Sequence, residues 1–154
     1  MTFDPSLIEA KIALQQIGFQ EFPALAADAL EAGFDGPSIR RMAALIQPTG
    51  FETDELMPRF MLEAGLIALS PAIACVRLAI ELATRIIGQN LDPLLYLGKF
   101  ETWFMLADYP VEFAELGMLE EDAYVMEYAG KSEDEIRTWI IERLKVFLHS
   151  IEVN

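Results

Sequence analysis

The chain has very little with which to do covalent or metal chemistry. Its 154 residues include one cysteine, Cys75, and one histidine, His149. A single cysteine excludes an internal disulfide and any zinc site built on a cysteine pair. Cys75 lies in the apolar run Ala72 to Val76 and reads as a small buried hydrophobe. One unpaired thiol suits a reducing cytoplasm. A lone histidine leaves any nucleophile only one imidazole to call on, and no Glu-x-x-His pair accompanies it. Near the end of the last helical stretch, His149 reads as structural or solvated, at the end of a helix where a cation is favoured.

Other absences narrow the class further. Gly88, Gly98 and Gly117 are widely spaced, and no P-loop or Gly-x-Gly-x-x-Gly string occurs. No Gly-x-Ser-x-Gly elbow is present either. The longest apolar run, about Leu66 to Val76, contains Ser70-Pro71 and ends at Arg77, short of the roughly 20 residues of a membrane span. Met1 to Glu9 carries Asp4 and Glu9 and no base, unlike the basic start of a secretion signal. Bases are scarce, 11 against 25 acids, for a net charge of -14 and a pI near 4.3. An anionic surface repels nucleic-acid phosphate and acidic lipid, so neither is an expected partner. The expected location is the cytoplasm.

Apolar residues are abundant, at 53% of the chain, so a packed core is expected rather than disorder. The length fits one domain, 1–154, and no Ser/Gly-rich linker interrupts it. Helix signals recur while strict period-2 alternation is absent. The clearest start is Ser132-Glu133-Asp134-Glu135, a capping box followed by Ile136, Trp139, Ile140, Leu144, Phe147, Leu148 and Ile151 at spacings of three and four. It predicts a helix from 133 to 150. Ser70-Pro71 and Asp92-Pro93 each place a capping oxygen before a first-turn proline. They predict helices to Ile87 and to about Ala107, the first with Ile73, Val76, Ala79, Ile80, Ala83 and Ile87 inward. In the second, Leu95, Phe100, Trp103, Phe104 and Leu106 are available for burial, and Tyr109-Pro110 stops it.

Asp4-Pro5 opens a first helix, to Gly18. Pro23 to Gly33 and Pro37 to Ile46 read as two more, the latter with Ile39, Met42, Ala43 and Ile46 inward. Thr53 is a candidate cap for a helix reaching Gly65, with Pro58 near its first turn. Pro110 to Tyr128 reads as two short helices broken at Gly117. The expectation is an all-α single-domain bundle of about seven or eight helices, with stacked helical hairpins as one arrangement.

The charge is uneven. Between Asp108 and Glu135 stand ten acids against one base, Lys131, a net of -9. Acid clusters can bind Mg²⁺ or Ca²⁺ or move protons. Glu120-Glu121-Asp122, however, are consecutive, and helical neighbours point about 100° apart, so they do not converge on one ion. No EF-hand pattern occurs, and no metal or cofactor is expected. Glu133 to Glu135 have capping work already. Phe100, Trp103, Phe104 and Tyr109 have helical spacing and read as core, a ligand pocket being the alternative. Arg40-Arg41 is too small for a nucleic-acid footprint and reads as a solvated face or a partner for the acids.

One stretch carries a resemblance. Gly88-Gln89-Asn90-Leu91-Asp92-Pro93, then Gly98, Trp103, Asp108-Tyr109-Pro110 and Leu116-Gly117 resemble the C-terminal half of a group of small helical bacterial proteins without an assigned activity. In size, acidity and helicity the chain is also similar to the immunity proteins that accompany secreted toxins. Neither likeness carries a set of functional residues onto this chain.

The expected function is non-enzymatic protein binding, of the immunity or antitoxin kind, in which an acidic face occludes a basic partner. Such a face steers a cationic protein and speeds association. The expected contacts are Glu112, Glu115, Glu120, Glu121, Asp122, Tyr124, Glu127 and Tyr128, the tyrosines serving as anchors. The rival readings are a homo-oligomeric structural or adaptor protein, forming a homodimer through an apolar helix face, an enzyme using a carboxylate-bound metal, and a mimic of nucleic-acid charge.

Overall fold

The structure, a computed structural model, describes residues 3–153. It is all-α: nine α-helices and three short 3-10 turns, with no strand among the described residues. The sequence predicts seven or eight helices. Taken one by one, the predicted segments number nine, the two short ones within 110–128 included, so the total of seven or eight is an undercount. No helix among the described residues is long and apolar enough to cross a membrane. The contacts divide the chain into two compact units, Met1–Ser70 and Pro71–Asn154, at a point where composition shows no linker.

In the first unit, α1 (Pro5–Ala13), α2 (Phe22–Glu31), α3 (Pro37–Ala43) and α4 (Gly50–Glu63) surround a core of Ile8, Phe22, Ala26, Ile39, Met42 and Phe60. Asp4 caps α1 as the sequence predicts, accepting from the Ser6 and Leu7 amides. The helix stops at Ala13 rather than Gly18, because Leu14 is drawn into the core and Gln15 takes a left-handed φ of 55°. Helix α3 also ends early, at Ala43. Ile46, expected inward, is 89% exposed beyond it.

The cap of α4 is Thr49, not Thr53. Thr49 and Glu52 form the capping box, each reaching the other's amide. Thr53 sits one turn inside, buried, with its hydroxyl donating to the Thr49 and Gly50 carbonyls. Pro58 is consequently inside the helix rather than in its first turn. Gly36 has no side chain to cap α3. The Glu63 carboxylate accepts from Ser38 and Ile39 at 3.2 and 2.9 Å instead, occupying the space a Gly36 side chain would need.

The second unit holds α5 (Pro71–Gly88), α6 (Leu97–Leu106), α7 (Ala114–Gly117), α8 (Leu119–Tyr128) and α9 (Glu133–Val153). Helix α5 packs on α6 and α9, and α8 packs on α6 and α9. Ala74, Cys75, Leu78, Ala79, Leu82, Ala83 and Ile86 are the buried face of α5. Of the predicted inward residues Ala79 and Ala83 lie on this face, but the predicted stripe is rotated from it: Ile73 is 55% exposed, and Val76, Ile80 and Ile87 are half-buried. Helix α5 is apolar on more than one side, so periodicity alone does not choose which stripe meets the partner helices.

Asp92-Pro93 opens a single 3-10 turn, Pro93–Leu95, before α6 begins, and Leu95 is left 76% exposed. Phe100, Trp103 and Phe104 are buried. Phe113 joins them, its ring centroid 6.4 Å from Phe100, 6.2 Å from Phe104 and 6.1 Å from Phe147. Three of the four aromatics expected in the core are therefore there; Tyr109, past the end of α6, meets the Phe104 ring at 5.2 Å but is 58% exposed. Trp139, also expected in the core, is half-buried.

Candidate functional site

The charged stretch becomes a surface because its apolar residues face inward at regular intervals. Phe113 is buried in the 3-10 turn Val111–Phe113, which sends Glu112 outward. Leu116 and Gly117 are buried in α7, leaving Glu115 outside. A Cβ on Gly117 would collide with the Phe104 ring, so only glycine allows this approach. In α8, Leu119 and Ala123 are buried and Met126 is half-buried.

With about 100° between successive residues, that inner stripe sets the outer face. Tyr124 and Tyr128, one turn apart, take its centre, at 69% and 89% exposure. Glu120 and Glu127 flank them on one side, Glu121 and Val125 on the other, and Asp122 lies nearer the packed edge. All eight expected contact residues are exposed, and α8 brings five of them (Glu120, Glu121, Tyr124, Glu127 and Tyr128) onto one face. Glu112 and Glu115 belong to the preceding turn and α7.

The acids divide by what they touch. Glu133 and Asp134 each pair with Arg137 at 3.1 Å, and Arg137 also meets Asp92 at 3.0 Å. Glu135 pairs with Lys131 at 3.7 Å, and its amide donates to the Ser132 hydroxyl at 3.1 Å. Half of the predicted capping box is thereby seen; the Glu135 carboxylate takes the Ser132 hydroxyl. Arg40, from the other unit, is held by Asp35 at 2.6 Å. By contrast, among the described residues Glu112, Glu115, Glu121, Asp122 and Glu127 have no ion-pair partner.

Two carboxyls are shifted in opposite directions. The hydrogen bond from Arg137 holds Asp92 below the usual carboxylate range. Glu120 is raised instead: it shares a hydrogen bond with Glu101 of α6, and partial burial and the negative charge of Glu101 add to the shift. Burial pushes the Cys75 thiol up to about 12, with the charge of Glu112 contributing, so the thiolate is suppressed. Among the described residues no group of three or more Asp, Glu, His or Cys side chains is placed to hold a metal ion. His149 is exposed.

Two shallow apolar grooves lie elsewhere. One, of about 370 Å³, runs along α5 between Ala72, Ile73, Val76, Arg77 and Ile80, with Glu112 at its lip. The other, of about 570 Å³, is lined by Phe19, Gln20, Pro23, Ala24, Leu45, Gln47 and Pro48 of the first unit. Neither involves Phe100 or Trp103. The α5 groove and the Asp92–Arg137 and Glu101–Glu120 pairs escape the sequence reading. No spacing along the chain signals them, unlike the Glu133–Arg137, Asp134–Arg137 and Lys131–Glu135 pairs, which stand three or four residues apart.

The fold and the site together define an all-α protein with an exposed acidic helix face centred on two tyrosines. Compared with protein-family models, with curated proteins and with solved structures, the chain matches none.

Proposed function

We propose that this is a non-enzymatic protein that binds a basic protein partner through the outer face of α8, and that it acts as an immunity or antitoxin-type inhibitor by covering that partner's active site. The observation that carries the reading is the division of the acids. Those at the start of α9 each have a cation partner, Arg137 for Glu133 and Asp134 and Lys131 for Glu135, whereas Glu112, Glu115, Glu121, Asp122 and Glu127 have none among the described residues and surround two exposed tyrosines. Unneutralised charge of one sign raises the association rate of a protein of the opposite sign, and tyrosine supplies contact area at low entropic cost. A cytoplasmic setting fits the single buried thiol.

The test is calorimetric titration with the purified product of the adjacent reading frame. Binding is expected, weakening at least tenfold when Glu121 and Glu127 are both changed to Lys. A basic neighbour that does not bind, or that binds the reversed variant equally well, overturns the reading.

A second reading, homo-oligomerisation, draws on a different surface. Ile73 on α5 is more than half exposed beside Val76 and Ile80. Multi-angle light scattering decides it, since a monomer at every concentration removes that reading.

A further inference from the structure

The exposed tyrosines say more about the partner than its sign. Resting on the reading that this face binds a cationic protein, we infer that Tyr124 and Tyr128 select arginine over lysine, and that the face receives a partner helix carrying arginines four residues apart. The two rings are separated by four residues, about 6 Å along the helix axis. A second helix presents its own side chains at the same interval, so two arginines can meet two rings at once.

Both residues are mostly exposed, Tyr124 at 69% and Tyr128 at 89%, and neither belongs to the core. A guanidinium is planar and weakly hydrated, and it stacks on an aromatic face while its N–H edge stays free to donate. The carboxylates are placed to accept from that edge. Glu121 precedes Tyr124 by one turn and Glu127 follows it by one turn, while Glu120 is engaged with Glu101 of α6. An ammonium is compact and strongly hydrated, and it gains less from the ring.

Nothing on the face competes for the rings. Helix α8 contains no base, and Lys131 just beyond it is paired with Glu135. Charge complementarity decides the occupant: a second copy carries -14 and nucleic acid carries phosphate, so both have the wrong sign.

The test uses the full chain and fluorescein-labelled, alanine-based helical peptides of about 15 residues. One carries arginines at four-residue spacing and the other lysines in the same places, and both are titrated by anisotropy at physiological salt. The arginine peptide is expected to bind several-fold tighter. Changing Tyr124→Leu together with Tyr128→Leu is expected to weaken the arginine peptide roughly tenfold and to erase the difference between the peptides. The paired Tyr→Phe changes should keep it. Circular dichroism checks that the variants are folded.

Equal affinities for the native chain, a preference that survives the leucine pair, or no binding of either peptide each overturns the inference. The acidic-face reading is judged separately by the Glu121→Lys and Glu127→Lys pair. If that pair abolishes binding while the leucine pair does not, the face binds charge alone and the tyrosines do not choose.

Discussion

Two carboxylates of the second unit respond to pH with opposite signs. Asp92 accepts from the Leu94 amide at 3.1 Å and from Arg137, 45 residues away. Its folded value lies below its ordinary 3.8. The stability it adds is therefore present above pH 3.8 and is lost as pH falls through the lowered value. Asp92→Asn keeps a capping oxygen and removes the charge, so its melting temperature should fall below the native one at pH 7 and converge with it in acid. Asp92→Ala should cost about 1 kcal/mol more, through the lost cap. Thermal melts from pH 2 to 7 check both.

Glu120 behaves in reverse. Its folded value is raised from 4.5 by the neighbouring Glu101 carboxyl. The cost is absent below pH 4.5, where both states are protonated, and complete above the raised value. Glu101→Gln should accordingly raise the melting temperature at pH 7 and leave it unchanged below 4.5. No gain at pH 7 would rule out repulsion within the pair.

At the scale of elements, helix starts are set by reciprocal side chain–backbone bonds that are easy to misplace by one turn. Thr49 and Thr53 both precede plausible helix, but Thr49 alone has a glutamate three residues on. Thr49→Ala is expected to cost about 1 kcal/mol in chemical denaturation. If Thr49→Ala is silent, the cap has been assigned to the wrong threonine. The end of α7 is also closely packed. Gly117 is pressed against Phe104, and Gly117→Ala should cost about 1–3 kcal/mol by forcing that ring aside. A smaller loss would show that Phe104 yields freely. For α5, the capping signal at Ser70-Pro71 places the helix within a residue of its end, and Ala79 and Ala83 are inward as expected, but the buried stripe is centred elsewhere. Ile73 and Ala74 are equally apolar to a periodicity count, and only the positions of α6 and α9 make Ala74 the buried one.

For the whole molecule, the dominant fact is charge. Bases number four in the first unit and seven in the second, against ten and fifteen acids. Each unit therefore repels itself, and screening should relieve that repulsion. Raising sodium chloride from about 0.01 M to 0.15 M should increase the melting temperature. A decrease would mean that ion pairs such as Arg137–Asp92 outweigh the repulsion.

The sequence by itself determined the all-α class, most helix starts and the exposure of the acidic stretch. These depend on neighbours within four residues: a cap beside its amides, a proline in a first turn, and apolar residues every three or four positions. Tertiary structure alone decided which stripe of α5 is core, that Asp92 meets Arg137, that Glu120 meets Glu101, and that the chain gathers into two units. Each of these joins residues far apart in the chain, and their meeting is set by how helices pack. The acids of α8 show both causes. Their number and their place on a helix are local facts. Their lack of a partner has both causes too: helical spacing gives Arg137 to Glu133 and Asp134, packing gives it to Asp92, and the tyrosine face of α8 is left negatively charged.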